Sequence, residues 1–475
     1  MELLQDIKLA KSDDGPLHAI QNLSNYLCNT SNTADIDMLI IADYMNAHVY
    51  KWVKEILDAT QTNELTDIQV STLDELVKIM TYIARHKQTR YQELPDFMPC
   101  AFHLFKCTAN IDFNLPTKIL DFILIVIDRD FDAHVKITED FLQTVFTLFQ
   151  TEHVPVEQSQ SQALHFCATI FKTKRYSVFC FTNRLQKRLT LVCFGVLQSL
   201  SRTNDSRIQN IMHILSILSS RPCNDPFREL VREFGMFSEI VSMISHQNDI
   251  VRIHSLEILA NIINVNDLSC ARPIIHSTLL SNLCVVFIQG SDKTIQMGLW
   301  VLIRLILCRA VDIMQDFSFL SYFPYWLHLE NSCIRSYVLW LLYTYLHRAN
   351  LEQKRVLLIN NEYNVIGTIV KRFPQWRHVA NSNDNGILAV RIAVKCCNLV
   401  VNFILKQWEE RKRYGTVNET GGNRFIHPSD DLFWLIVHFK NNEFIENMKR
   451  VTEQGTWFKS EVPNFFEEIG KFKLM

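Results

Sequence analysis

The chain has 475 residues, of which 48 % are apolar and 21 % charged, and its formal net charge is −2. Near-neutral charge predicts no general attraction to nucleic acid or to a membrane surface, and the apolar content is that of an ordinary globular protein rather than a disordered or fibrous one. With only 12 Gly and 12 Pro the chain is short of the turn residues that sheets require, so a nearly all-helical fold is expected. The 13 Cys are scattered, with only Cys396-Cys397 adjacent and no C-x-x-C spacing, which suits buried thiols in a reducing compartment better than disulfides or zinc. A location in the cytoplasm, the nucleus or both is expected from this.

The first 15 residues, MELLQDIKLAKSDDG, carry acids throughout and no long apolar stretch, so they read as a short lead and not as a signal peptide. Downstream, apolar blocks at three- and four-residue spacing predict helices at ELVKIMTYIA (75–84), KILDFILIVI (118–127), QALHFCATIF (162–171) and NIMHILSILS (210–219). Three stronger copies follow: IVRIHSLEILANIINV (250–265), KTIQMGLWVLIRLILC (293–308) and CIRSYVLWLLYTYLHR (333–348). Each is followed by a shorter apolar helix, LLSNLCVVFI, FLSYFPYWLHL and YNVIGTIVKRF, and Trp340 lies forty residues after Trp300. A period of about 40 residues is the mark of a helical solenoid, in which no hairpin buries its apolar face alone but stacked neighbours form one core. Roughly ten such units fit the length. No apolar run reaches the roughly 18 residues of a membrane span, because charges such as Arg304 interrupt the best candidates.

The last fifty residues begin IHPSDDLFWLIVHF and read as two amphipathic helices after a Pro-initiated start, a terminal repeat over 426–475 that caps the repeats of 16–425. This register resembles the importin-alpha family. His427-Pro428 stands at the turn of that family's closing repeat, Leu435-Ile436 in its first helix and Phe465-Phe466-Glu467 near its end. Trp340 is followed by Glu352-Gln353 and by Asn361 where the family has Gly, and Arg232-Glu233-Phe234-Gly235 keeps the Gly. Ile36-Asp37-Met38-Leu39-Ile40 stands in the first repeat, and Asn402 matches an Asn of the ninth. The resemblance implies an all-α armadillo-repeat fold, a right-handed superhelical solenoid of about ten repeats. It also implies an adaptor that binds an extended peptide of a protein partner in a groove.

In that family each repeat offers a Trp and, four residues on, an Asn; the indoles hold Lys stems and the amides clamp the peptide backbone. Residues four apart share one helix face, and indole faces favour cations. Here the paired positions are Lys78/Tyr82, Asp121/Ile125, His165/Thr169, His213/Ile217, Glu257/Asn261, Trp300/Arg304 and Trp340/Thr344, and no repeat keeps both residues. Losing four or five such hydrogen bonds, at about 1 kcal/mol each, lowers affinity roughly a thousandfold or more. The survivors cluster, so the candidate peptide-binding residues are Asn261, Trp300 and Trp340, with Glu257, Gln296, Ser336 and Thr344 on the same stripes. Only Lys8 and Lys11 precede the first repeat, so the family's basic importin-beta-binding segment has no counterpart and ordinary importin-beta recruitment is not expected. An export receptor contacting the last repeats is what the resemblance implies if transport persists. The alternatives are a non-transport armadillo scaffold that assembles a complex, or another armadillo or HEAT scaffold.

Two basic runs have bland readings beside functional ones. Lys172, Lys174, Arg175, Arg184, Lys187 and Arg188, with Tyr176, Phe179 and Phe181 between them, read as a solvated connection or as a site for acidic protein or phosphate. Arg411-Lys412-Arg413 reads as a helix C-terminus or as a localisation run. There is no glycine-rich phosphate loop, H-E-x-x-H or G-x-S-x-G, so neither an enzymatic activity nor a cofactor is expected. Pairs such as His254 with Glu257, or His213 near Cys223, are what chance supplies among 16 His and 13 Cys.

Overall fold

Each apolar block with three- and four-residue spacing is helical in the computed structural model. The structure describes residues 20–25, 27, 45, 48–56, 66–85, 97–109, 114–129, 137–148, 156–172, 183–200, 206–220, 225–263, 278–308, 310–316, 318–359, 363–380, 384–414, 419–420, 423–454 and 462–474. Ile36 to Ile40, Asn361, Cys223 and residues 173–182 of the first basic run lie outside these, as do the side chains of Lys172 and Arg184. The chain divides into two compact units, Met1–Glu233 and Phe234–Met475.

In the first unit, helices α1 (Asp67–Arg85), α3 (Asn114–Arg129), α5 (Val156–Lys172) and α7 (Ser206–Ser219) pack side by side in sequence order. A second layer holds α2 (Phe97–Thr108), α4 (Glu139–Thr147), α6 (Asn183–Ser199) and α8 (Asp225–Glu233). The periodicity explains the layers. In α1 the residues Leu73, Leu76, Val77, Met80 and Ile83 are all buried, which leaves Lys78, Tyr82 and Arg85 on an uncovered stripe. Phe141 of α4 joins the layers, its ring 4.4 Å from Phe102, 5.1 Å from Phe105 and 5.9 Å from Phe166.

The second unit repeats this plan. Helices α10 (Asp249–Ile262), α12 (Asp292–Leu307), α14 (Ser332–Arg348) and α17 (Asp384–Arg413) form its inner layer, each packed on the next. Helices α9 (Phe237–Ser242), α11 (Leu279–Gln289), α13 (Phe323–His328) and α16 (Val365–Ala380) form the outer one, and α15 (Leu351–Ile359) precedes α16. The forty-residue period is built into the helix starts. Asn248, Ser291 and Asn331 are successive N-caps, and each accepts a backbone N–H of its own first turn. Asp249 accepts from Ser291 Oγ and Thr294 Oγ1, both at 2.5 Å, and Asp292 accepts from Asn331 Nδ2 at 2.7 Å. The caps Ser291 and Asn331 are thereby tied to the first acid of the preceding inner helix. Gly298 of α12 lets the layers close, because a Cβ there would lie 2.9 Å from Phe287 Cε1. Gly235, kept from the expected turn, has φ +64°, and Asn364 adopts a positive φ of 35° close to where the sequence pointed to Asn361.

Two expectations need correction. First, the end of the chain is not just two helices. Three helices, α18 (Phe433–Phe439), α19 (Asn442–Gln454) and α20 (Val462–Gly470), are joined by a three-stranded sheet of β1 (Glu419–Thr420), β2 (Asn423–Ile426) and β3 (Phe472–Leu474). β2 pairs antiparallel with β1 and parallel with β3, so Ile426 belongs to a strand and Pro428 to the turn after it. Second, Ile387–Arg413 within α17 is long and apolar enough, by length and composition, to cross a membrane. More than half of its apolar window is buried, and it packs against α14, α16 and α20, as the core helix of a folded unit does. Cys396 and Cys397 on this helix are fully buried, and burial pushes the Cys397 thiol up to about 12. Arg411 pairs with Asp430 at 2.5 Å, which anchors the helix C-terminus to the turn before α18.

Candidate functional site

The uncovered stripe of the first unit begins with Lys78 and Tyr82 on α1 and Lys118 and Asp121 on α3. Together with Val77, Thr81 and Arg85 they line a cleft of about 370 Å³. Ion pairs organise it. Lys78 Nζ meets Glu75 at 2.6 Å and Asp74 at 3.1 Å, and Lys118 also pairs with Asp74. Glu75 is held below the ordinary carboxylate range by the hydrogen bond from Lys78 first and by that from Ser24 second. Asp121 is shifted upward by burial, although it accepts from Gln162 of the neighbouring α5. His165 is exposed, Thr169, His213 and Ile217 are half-exposed, and Ile125 is half-exposed as well. Where the importin-alpha pattern puts Trp and Asn, this stripe carries charged and polar groups interspersed with Ile125 and Ile217.

The second unit presents aromatics instead. Trp300 of α12 and Trp340 of α14 are half-exposed, with ring centroids 5.1 Å apart and planes inclined by 53°. Tyr337, one turn before Trp340, completes the cluster at 6.1 Å from Trp300 and 6.2 Å from Trp340. Sequence reasoning missed Tyr337, although its i, i+3 spacing to Trp340 places both on one face. Arg304 lies over the Trp300 ring, its guanidinium carbon 5.8 Å from the centroid, and its Nε donates to the Ala260 carbonyl of α10 at 3.1 Å. A cation of the chain itself thus covers an indole face that a lysine stem would require. Because the two indoles touch, there is no open slot between them.

The remaining candidates divide. Glu257, Asn261 and Gln296 are half-exposed beside this cluster, and Glu257 Oε2 lies 2.9 Å from His254 Nδ1. Ser336 and Thr344 are buried, and their hydroxyls donate to the carbonyls of Cys333 and Trp340 in their own helix, at 2.7 Å and 2.8 Å. Those two are corrected from surface to interior. Helix α14 is packed by α12 on one side and α17 on the other, and between its two end residues only the line Cys333, Tyr337, Trp340, Tyr343 and His347 escapes cover. Among the described residues no cluster of three or more His, Cys, Asp or Glu could hold a metal ion.

No protein-family model matches the sequence, and no curated protein matches it. Solved structures do. The chain is similar to the crystal structure of an engineered protein, at 10 % identity over 98 % of both chains with a TM-score of 0.63. It is similar to SYS-1, at 11 % identity over 98 % of this chain and 84 % of that one with a TM-score of 0.60. A third is a structure from work on a phosphorylation switch that controls the interaction between cadherin and beta-catenin, at 9 % identity over 97 % and 92 % with a TM-score of 0.59. The fold is an all-α armadillo-repeat solenoid. At these identities the likeness concerns the fold, and the importin-alpha resemblance remains a resemblance of motifs.

Proposed function

We propose that this chain is a non-enzymatic binding scaffold that holds an extended segment of a protein partner on the inner layer of its second unit. One observation carries this: the contiguous, half-exposed cluster of Trp300, Tyr337 and Trp340, flanked by Glu257, Asn261 and Gln296. Aromatic side chains supply most of the energy at protein interfaces, and a stripe of them on a rigid helical face is preorganised. Beta-catenin, whose interaction with cadherin is the subject of one similar structure, is an armadillo protein with a protein partner.

The finer reading, an adaptor for nuclear import that works between cytoplasm and nucleus and meets an export receptor through its C-terminal helices, rests on the motif resemblance alone. Arg304 over Trp300 disfavours the lysine-rich signal such an adaptor takes. The scaffold reading therefore predicts a Kd weaker than about 10 μM for a lysine-rich bipartite peptide in calorimetry. Submicromolar binding would instead support import. The direct test is the double substitution Trp300→Ala/Trp340→Ala in the full chain. Partners recovered with the wild type in affinity purification should be lost, with the melting temperature within a few degrees of wild type. Retention of those partners by the folded variant would overturn the proposal.

A further inference from the structure

The outer layer of the second unit carries a surface of a different kind. On α12, Gly298 faces Phe287 of α11, whereas Trp300, two residues on and about 200° round the helix, faces away. The outward faces of α11 and α13 are thus distinct from the aromatic cluster described above. Phe287, Tyr322 and Trp326 lock α11 to α13, with ring centroids of 4.8 Å for Phe287–Trp326 and 5.3 Å for Tyr322–Trp326. Phe287 and Trp326 are buried, whereas their chain neighbours Val285, Ile288 and Tyr325 are 50 %, 67 % and 55 % exposed. Three large apolar side chains left open on two adjoining helices form a ridge, whereas single exposed apolar residues elsewhere need no explanation.

One end of the ridge is cationic. His328 ends α13, and Lys371 and Arg372 project from α16, which packs on α13. His328 is held below its ordinary range by burial first and by Arg372 and Lys371 next, so the three share one field. Beneath them Arg335 is 6 % exposed over the Trp376 ring. Its Nη2 donates to the carbonyls of Leu329 and Glu330, but Nε and Nη1 meet no acceptor. Glu330 is the one acid that acts on Arg335, and burial followed by Arg372 keeps this guanidinium below its ordinary range. Glu330 apart, no acid acts on this cluster among the described residues.

We propose that the outer face of α11 and α13 docks an amphipathic helix of another protein, its apolar side chains on Val285, Ile288 and Tyr325 and its acidic end against Lys371 and Arg372. Val285 and Ile288 sit one helical turn apart, the spacing that a partner helix reads as a ridge for its own groove. The cations stand at one end only. An anionic membrane would call for cations around the apolar rim.

The test places a photo-crosslinking residue in the full chain, Ile288→p-benzoylphenylalanine, and sequences the adduct formed in cells. The expected product joins position 288 to a protein segment with apolar residues at helical spacing and carboxylates at one end. Adding Lys371→Glu and Arg372→Glu should reduce its yield about tenfold or more, with melting unchanged, because the new carboxylates would face the partner's own and like charges repel. Reversing the segment's own carboxylates to lysine should restore the yield. Trp300→Ala/Trp340→Ala should leave the adduct unaffected, which separates this site from the inner one. An adduct to lipid or to a second copy of the chain, no adduct, or an adduct indifferent to charge reversal would overturn the proposal.

Discussion

The inner stripes of the two units occupy the same positions of the same repeat yet carry opposite chemistry. In the first unit Lys78 and Lys118 are tied to Asp74 and Glu75, and Tyr82 stands at the edge of the cleft. In the second, Trp300, Tyr337 and Trp340 pack against one another with tilted and edge-on rings, and Arg304 lies on an indole face. The repeat requires only that buried positions stay apolar, so the uncovered stripe is free to vary. Surface ion pairs add little stability and hold water, while exposed aromatics lose area from water when something covers them. The second unit is therefore where binding is proposed.

The largest expected effect comes from removing residues 426–475. The second unit would lose the Trp408–Phe472 contact at 5.4 Å and the Phe373–Phe444 contact at 5.3 Å, and both Trp408 and Phe373 are now buried. Open ends of solenoids aggregate. The fragment 1–425 should be insoluble, and a soluble fragment with a cooperative melt would show that these contacts do not close the unit.

Next in size is the contrast between tryptophans. Trp326 is fully buried between α11 and α13, so Trp326→Ala should cost about 3–5 kcal/mol. Trp300→Ala should cost much less, since its ring is half-exposed. Denaturant unfolding of both variants measures the difference, and equal costs would mean that the Trp300 cluster is core. Gly298→Val should follow at about 1–3 kcal/mol, because its Cβ would press on the Phe287 ring between the two layers.

A smaller effect tests the cap ladder. Burial raises the Asp249 carboxyl, but the bonds from Ser291, Thr294 and Arg252 outweigh it, so its folded value lies below the ordinary one. A depressed carboxylate contributes stability above its unfolded value, about 3.9, and loses it as pH falls through the folded value. Wild type should therefore show an acid-induced drop in melting temperature below about pH 4 that Asp249→Asn lacks, and at pH 7 the variant should melt roughly 2–4 °C lower. Identical acid profiles would remove Asp249 from the ladder. Smallest of all, Lys78→Ala on the first unit's stripe should change stability by no more than about 1 kcal/mol, as read from urea unfolding. A larger loss would show that this stripe is structural.

Much of the architecture was legible in the sequence because it is local. Apolar residues three and four apart predicted the inner helices, and the step from Trp300 to Trp340 is the step from cap Ser291 to cap Asn331. Helix periodicity and capping depend on neighbours within one turn, which the order of residues alone determines. The tertiary structure decided which side of each helix remained open. Trp300, Trp326 and Trp340 all lie in apolar helices, and packing fully buried only Trp326. Ser336 and Thr344 share a helical stripe with Trp340 on paper, yet the packing of α14 buries both. The pairing of Arg424 with Phe472 across β2 and β3 joins residues far apart in the chain, where no local period exists to reveal it. A sequence states which residues can be buried together, and exposure follows from which neighbours arrive.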